Sequence, residues 1–318
     1  MNSIFTTALS QTTYLLILIA LGYMLMKLKL IPENSNTALS KLESLLLLPA
    51  LMLSTFIHDF TVDRLSSTWI ILLLSLGLEI IIVPIAILIG RLFYKTEYLQ
   101  KIATYGMAFS NFGFMGCAVM KALYPDIFLE YTVFTIPLWI FIMLWGVPVL
   151  LMPKDEKNHG LRSRLKPLLN PMLICMLIGM IIGISGIDMP TPVMSAIDTL
   201  GSAMSPIAML LTGMTLAKSE LLSLIKKGKV WLLSAVRLLI IPVVFLLIFS
   251  LIPRGNVFSE AFVICAVSAL AMPLGLNTIV IPTGYGLDTS DASSMALISH
   301  VLSILSLPLV FMLVEHFI

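Results

Sequence analysis

Two ionisable residues, Glu79 and Arg237, lie inside long apolar segments of the sequence. An ionisable side chain at the centre of a lipid bilayer costs at least about 2.5 to 3.5 kcal/mol, so each is a candidate functional residue. Glu79 could take up a proton or a cation, and Arg237 could compensate charge or attract a carboxylate. The structural alternative is a buried or interfacial pair that orients two helices, and both interpretations stay open.

Two asparagines lie beside residues that weaken helices. Asn111 begins the stretch "NFGFMGC", which contains Gly113 and Gly116, and Asn277 ends "AMPLGLN", which contains Pro273. Gly costs about 1 kcal/mol in a helix interior relative to Ala, and Pro about 3 kcal/mol. A break frees backbone N–H and C=O groups, and the N-terminus of a half-helix suits an anion because of its partial positive charge. Alternatively, the glycines only allow close helix packing and the asparagines only join helices by hydrogen bonds.

The elements that would position these residues are membrane helices. Of the 318 residues, 59% are hydrophobic and 11% are charged, and the mean hydropathy is +1.04, which excludes the surface of a soluble domain. A helix needs about 20 apolar residues to cross a bilayer. Such runs predict an all-α polytopic protein in a lipid bilayer, with ten spans at 12–31, 36–57, 67–92, 98–123, 128–152, 167–186, 192–217, 229–252, 258–282 and 290–316.

Basic residues predict how the chain crosses the membrane. Short loops rich in Lys and Arg stay on the cytoplasmic side. With ten spans and an external N-terminus, fifteen of the nineteen basic residues are cytoplasmic. We therefore expect a multi-pass protein of the plasma or inner membrane with both termini outside. The uneven distribution of the charges reports this topology, and the net charge of +2 gives no reason to expect a nucleic-acid partner.

Prolines reveal an internal repeat. Three pairs have nearly constant spacings of 157, 158 and 160 residues: Pro49 with Pro206, Pro84 with Pro242, and Pro148 with Pro308. They predict a first repeat at 1–152, a cytoplasmic linker at 153–166 and a second repeat at 167–318. Because each repeat has five spans, the second is inverted. Inverted repeats are typical of secondary transporters, whose substrate site lies near the bilayer midplane where broken helices meet.

The same spacing connects the residues that could do chemistry. It carries Gly113 to residues 271–273 and Glu79 to Arg237. We therefore predict broken fourth and ninth spans and a substrate site between them. The candidate substrate-binding residues are Asn111, Gly113, Phe114, Gly116, Met272, Pro273, Gly275 and Asn277, and the candidate coupling or charge-compensating residues are Glu79 and Arg237.

At these motifs the chain resembles a known family. "NFGFMGCAV" resembles the Asn-x-Gly-Phe-x-Gly-x-Pro signature in the fourth helix of the auxin efflux carrier family, and "LGSAMSPIAMLLTGMTL" resembles the glycine and proline pattern of its seventh helix. The resemblance spans essentially the whole chain. Ala118 stands where the signature has its proline, so we expect the first break to rest on Gly113 and Gly116.

The resemblance implies a fold similar to that of the bile-acid sodium symporters. Its scaffold helices would be 12–57 and 167–217, and its moving transport helices 67–152 and 229–316. It also implies crossing fourth and ninth helices, elevator-type alternating access, a homodimer through the scaffold and a small organic anion as substrate. That anion would be a carboxylate or dicarboxylate such as malate, malonate or an auxin-like acid.

Other functions remain as alternatives. They are a sodium-coupled symporter of the bile-acid type, an anion channel and, ranked last, an intramembrane enzyme. The sequence has no nucleotide-binding loop, no metal-ligand spacing and no nucleophile with a base. We therefore expect no catalytic residue, no metal and no cofactor other than a coupling proton or Na⁺. Glu43, Asp198 and His300 are interpreted as structural polar groups.

Overall fold

The computed structural model describes residues 2–153, 169–217, 226–253, 255 and 258–318. Residues 154–166 of the predicted linker, together with Lys218 and Arg254 among the basic residues used for topology, lie outside the described residues. Within the described part the fold is all-helical, with 84% helix and no strand. This confirms the predicted fold class at the level of an all-α chain.

We number twelve helices within the described residues. They are α1 (Asn2–Lys27), α2 (Ser35–Asp59), α3 (Val62–Phe93), α4 (Glu97–Ala108), α5 (Phe112–Leu123), α6 (Pro125–Leu151), α7 (Pro171–Ser185), α8 (Thr191–Leu216), α9 (Gly228–Ser250), α10 (Glu260–Ala271), α11 (Asn277–Gly284) and α12 (Ser290–Phe317).

Seven of these helices are long and apolar enough to cross a membrane: α1, α2, α3, α6, α8, α9 and α12. The chain is therefore a multi-pass membrane protein. The three other predicted spans coincide with shorter helices. The span at 167–186 contains α7, which has 15 residues, and the spans at 98–123 and 258–282 are each divided between two helices, α4 with α5 and α10 with α11.

Local sequence explains where the shorter helices begin. Pro171 is the first residue of α7, where its missing N–H has no helical partner to lose, and the Asn170 side chain caps the helix by accepting from Leu173 N at 2.9 Å. Ser259 caps α10 in the same way, accepting from Phe262 N at 3.2 Å. These caps fix the starting points of helices too short to be stabilised by length alone.

Two prolines inside long helices follow wider turns. A π-helical turn at Glu43–Leu47 precedes Pro49 in α2, and another at Val236–Ile240 precedes Pro242 in α9. Proline removes one hydrogen bond and its ring clashes with the carbonyl four residues earlier, so a locally widened turn lets the helix continue. Their partners in the proposed repeat, Pro206 and Pro84, lie in ordinary α-helix.

The predicted scaffold helices approach one another closely at glycines. A Cβ atom on Gly22 of α1 would collide with the backbone of Leu210 in α8, and one on Gly213 of α8 would collide with the backbone of Ile19. Gly183 of α7 has the same relation to the carbonyl of Phe56 in α2. Close backbone approach of this kind is how small residues hold membrane helices together.

The first break lies ahead of its expected position. Helix α4 ends at Ala108 and α5 begins at Phe112, so the expectation that the break rests on Gly113 and Gly116 is wrong. Both glycines lie in the first turn of α5, a π turn in which Gly116 N donates to Asn111 O at 3.0 Å. Their missing side chains leave room for the indole of Trp139 and the phenol of Tyr131.

The second break lies between Ala271 and Asn277. Helices α4 and α10 both have 12 residues, and both begin at Glu and end at Ala. Their ends are 163 residues apart, so the spacing of 158 to 160 does not hold in this part of the chain. The spacing that carried Gly113 to residues 271–273 therefore differs from the spacing of these two helix ends.

Candidate functional site

The two helix breaks meet inside the protein. Ser110 and Leu274 form an isolated antiparallel bridge, and Asn111 N donates to Pro273 O at 2.7 Å. A Cβ atom on Gly275 would lie 3.3 Å from Ser110 O, a tight contact that glycine avoids. The unpaired backbone of each break is thus partly satisfied by the other, as buried irregular backbone in a membrane requires.

A small cleft lies where α5 and α11 begin. It has a volume of about 20 Å³ and is lined by residues 110–114, residues 275–277, Tyr105, Trp139 and Ile142. The first N–H groups of a helix have no intrahelical partner, and the helix dipole places partial positive charge at the same end. Because two helix N-termini line one cleft, its chemistry favours an anion.

Five of the eight predicted substrate-binding residues line this cleft: Asn111, Gly113, Phe114, Gly275 and Asn277. The other three, Gly116, Met272 and Pro273, are not among its lining residues. Gly116 packs against the Tyr131 hydroxyl, and Pro273 supplies the carbonyl that joins the two breaks. Met272 is fully buried at the end of α10. These three residues pack around the point where the two helix breaks meet, which we call the crossing. Their neighbours line the cleft.

Arg237 joins the opposite ends of the broken helices. Its guanidinium donates from Nη1 to Met107 O at 2.6 Å and from Nη2 to Ala269 O at 3.5 Å. These carbonyls belong to the last turns of α4 and α10, where the helix dipoles place partial negative charge. A second donor, the Ser110 hydroxyl, reaches Ala269 O at 2.6 Å. One buried cation therefore stabilises two helix C-termini and leaves the two N-termini available.

Glu79 lies beside Arg237. The two residues are 3% and 2% exposed and line the same small cavity, together with Ser110 and the ends of α4 and α10. Glu79 Oε1 and Arg237 Nε are buried atoms without a hydrogen-bond partner. The structure thus brings the two residues together, next to the point where the two breaks meet. A buried carboxylate and a buried guanidinium partly compensate each other's charge there.

Each asparagine at the cleft has a hydrogen-bonded partner. The Asn111 side-chain nitrogen lies 3.3 Å from His300 Nε2, and His300 Nδ1 lies 2.7 Å from Ala296 O. Asn277 Nδ2 donates to the Tyr105 hydroxyl at 2.9 Å. His300 is thus a hydrogen-bonded packing residue, as interpreted from the sequence, but its partner is the site residue Asn111.

Six cleft residues were not predicted from the sequence, and three of them have polar side chains: Tyr105, Ser110 and Trp139. Trp139 packs edge-on against Phe112 and Phe114, with ring centroids 5.1 and 6.4 Å away. An aromatic residue in an apolar helix looks like any core residue in the sequence. A signal did exist, because Tyr and Trp each have a polar atom that usually finds a hydrogen-bond partner when buried.

The remaining polar groups belong to other places. Glu43 is buried in α2, and Asp198 of α8 accepts from Ser54 Oγ at 2.6 Å and lies 3.3 Å from His58 Nε2. Both sites lie between predicted scaffold helices, in agreement with structural roles. In the described part of the chain, no group of three or more His, Cys, Asp and Glu side chains could hold a metal ion.

Comparison with known proteins identifies the family of this chain. Residues 7–311 match the family described as membrane transport protein, so the match covers nearly the whole chain. The curated proteins include no match. The matched family is the one that the motifs "NFGFMGCAV" and "LGSAMSPIAMLLTGMTL" suggested, and it is a family of transporters, not of enzymes. The chain is therefore a membrane transporter and a member of the auxin efflux carrier family of membrane transport proteins.

Proposed function

We propose that this transporter is a secondary carrier of a small organic anion, a carboxylate or dicarboxylate, which binds where the two broken helices cross. One observation supports this most strongly: the N-termini of α5 and α11 line one cleft, while the buried Arg237 occupies the C-termini of α4 and α10. Partial positive charge is thus left facing the cleft, and an anion is the ligand that such charge attracts.

The proposal includes ten spans arranged as two inverted five-span repeats. Its support is that each half contains one pair of short helices in place of a long one, α4 with α5 and α10 with α11. Further support comes from the equal lengths of α4 and α10. Transporters with such repeats bind substrate near the bilayer midplane.

Alternating access by an elevator movement is the second part of the proposal. The scaffold would consist of 12–57 and 167–217, and the transport body of 67–152 and 229–316. The glycine contacts between α1 and α8 and between α2 and α7 support a rigid scaffold, because such backbone contacts leave little freedom to slide. The homodimer through this scaffold, the membrane of residence and the external termini remain predictions.

A second, larger cavity lies between the two proposed bodies. It has a volume of about 460 Å³ and is lined by residues of α2 and α8, including Ser54, His58, Asp198 and Ser202, and by Lys121 from α5. A cleft of about 20 Å³ at the crossing holds about one water molecule and no organic acid. The cleft would therefore have to widen before it holds a substrate, and a site this small supports a carrier over a channel with a continuous polar lining.

Coupling is proposed to involve Glu79. Replacing Glu79 with Gln keeps the size of the side chain but removes its ability to exchange a proton or bind a cation. We expect Glu79→Gln to flatten the pH or Na⁺ dependence of uptake while some uptake persists. The measurement is initial uptake rate at a series of pH values and Na⁺ concentrations. A dependence identical to that of the natural protein would assign Glu79 a structural role only.

The function itself is tested by uptake into proteoliposomes. A panel of radiolabelled monocarboxylates and dicarboxylates is offered with a proton gradient, a sodium gradient or a membrane potential imposed separately. We expect saturable uptake of at least one acid, driven by one of these gradients. Uptake only with Na⁺ would favour the sodium-coupled alternative, steady ionic currents far above carrier turnover would favour the channel, and no uptake of any acid would reject the proposed substrate class.

A further inference from the structure

We propose that the ligand of the crossing cleft must bring its own hydrogen-bond donor, a hydroxyl group beside its carboxylate, and that His300 imposes this requirement by fixing the orientation of the Asn111 amide. This inference rests on the proposed function and narrows its substrate class from organic acids in general to hydroxy acids. His300 is a positioning residue here, since it acts on the ligand only through Asn111.

The argument begins with the proton on His300. This side chain is 1% exposed, and its Nδ1 atom lies 2.7 Å from the carbonyl oxygen of Ala296, one turn earlier in α12. A carbonyl oxygen can only accept a hydrogen bond, so Nδ1 is the protonated nitrogen. Burial in an apolar interior favours the uncharged ring. The other nitrogen, Nε2, is then a hydrogen-bond acceptor.

The tautomer of His300 determines which way the Asn111 amide points. Because Nε2 accepts, the group that faces it at 3.3 Å is the amide nitrogen Nδ2 of Asn111. The amide oxygen Oδ1 therefore points elsewhere. Asn111 is 2% exposed, and its Oδ1 atom is buried with no hydrogen-bond partner. An acceptor left unpaired in this way is costly, and a ligand that donates to it would remove that cost.

A second unpaired polar atom belongs to the same cleft. The indole nitrogen Nε1 of Trp139 is buried without a partner and can only donate. The indole ring is held in place by Phe112 and Phe114 and by the space that Gly113 leaves for it. The cleft is thus lined by Trp139, which carries an unpaired donor, and by Asn111, which carries an unpaired acceptor, in addition to the two helix N-termini.

A simple carboxylate satisfies only half of this arrangement. Its oxygens accept from Trp139 and from the helix N-termini, but against Asn111 Oδ1 they would place one acceptor beside another. A hydroxyl group on the same molecule donates to Oδ1 and leaves no polar atom unpaired. Sites that pair buried polar groups with a ligand hydroxyl discriminate strongly against analogues that lack it. The chemistry of the cleft therefore favours a hydroxy acid.

The test compares acids that differ only in one hydroxyl group: malate with succinate, lactate with propionate, and hydroxymalonate with malonate. For whichever pair is transported by the natural protein in proteoliposomes, we expect a KM about tenfold lower for the hydroxylated member. In His300→Gln, the amide of glutamine can either accept from Asn111 or donate to it, whereas the Nε2 atom of His300 can only accept. The Asn111 amide is then free to turn, and we expect the preference to fall to about twofold.

Asn277→Ala is the matched control, because Asn277 lines the same cleft but its amide already donates to Tyr105. We expect it to slow uptake of both members of a pair and to keep their KM ratio. A ratio near one in the natural protein overturns the proposal whatever the variants do, and so does an unchanged ratio in His300→Gln. The absence of uptake for every acid would instead reject the proposed function, and this inference with it.

Discussion

Replacing Arg237 with Met is expected to destabilise the protein by about 3 to 5 kcal/mol and to abolish uptake. The guanidinium donates to Met107 O and Ala269 O, so its loss leaves carbonyls in the last turns of two helices without their cationic partner. It also leaves Glu79 buried beside the crossing without a compensating charge. The measurement is thermal unfolding in detergent by intrinsic fluorescence, together with uptake in proteoliposomes.

Two further variants separate the charge of Arg237 from its geometry. Arg237→Lys keeps the positive charge but lacks the planar fork that reaches two carbonyls at once, so we expect intermediate stability. The double variant Arg237→Met with Glu79→Gln removes the orphaned charge, and we expect it to regain part of the lost stability. If Arg237→Met unfolds at the temperature of the natural protein and still transports, Arg237 does not hold the broken helices together.

Replacing Asn111 with Ala is expected to lower uptake by about tenfold to a hundredfold or more, because the ligand would lose a polar partner worth about 1 to 3 kcal/mol. The backbone contact from Asn111 N to Pro273 O does not involve the side chain and should survive. His300 Nε2 loses its donor, so a modest loss of stability accompanies the loss of uptake. Initial rates of uptake and unfolding temperatures are both measured.

Asn36→Ala provides the control for this variant. Asn36 is also a buried asparagine, and its amide donates to Thr215 Oγ1 at 3.4 Å between the predicted scaffold helices α2 and α8. We expect a comparable loss of stability with uptake retained. Natural rates of uptake in Asn111→Ala would remove Asn111 from the site, and an equal loss of uptake in both variants would trace the effect to stability alone.

The location of the candidate site could be predicted from the sequence because it depends on features that the sequence displays directly. A charged residue in an apolar run is conspicuous, and the proline spacing linked Glu79 to Arg237 before any contact was known. Glycine and proline also marked the two regions in which helices break. These signals depend on the high cost of charges and of helix-weakening residues in a membrane.

The exact position of the first break could not be predicted in this way. Phe109 and Ser110 have ordinary helix propensities, so local preference does not end α4 at Ala108. Tertiary contacts do so: Arg237 and Ser110 bond to the carbonyls of the two helix ends, and the backbone of Asn111 pairs with Pro273. Each of these partners lies far away in the sequence, which gives no local signal of their meeting.

The polar partners of the site were also hidden for a physical reason. In the sequence, His300 is a histidine within an apolar stretch of α12, and Trp139 is one of several aromatic residues in α6. His300 matters because its Nε2 atom contacts the cleft residue Asn111, and Trp139 is itself a cleft residue whose Nε1 atom is unpaired. The positions of such atoms depend on how α5, α6 and α12 pack together. Local periodicity does not predict side-chain packing between helices that are far apart in the sequence.

The most direct test of substrate binding at the helix crossing is protection of a single cysteine at Leu276, a buried residue that lines the cleft. The variant Leu276→Cys is made in a chain from which Cys117, Cys175 and Cys265 have been removed, and its uptake is checked first. Membrane-impermeant thiol reagents are then applied from either side of proteoliposomes, with and without a transported acid. We expect labelling from both sides that the acid slows, whereas labelling from one side only, or labelling that a transported acid leaves unchanged, would contradict binding and alternating access at the crossing.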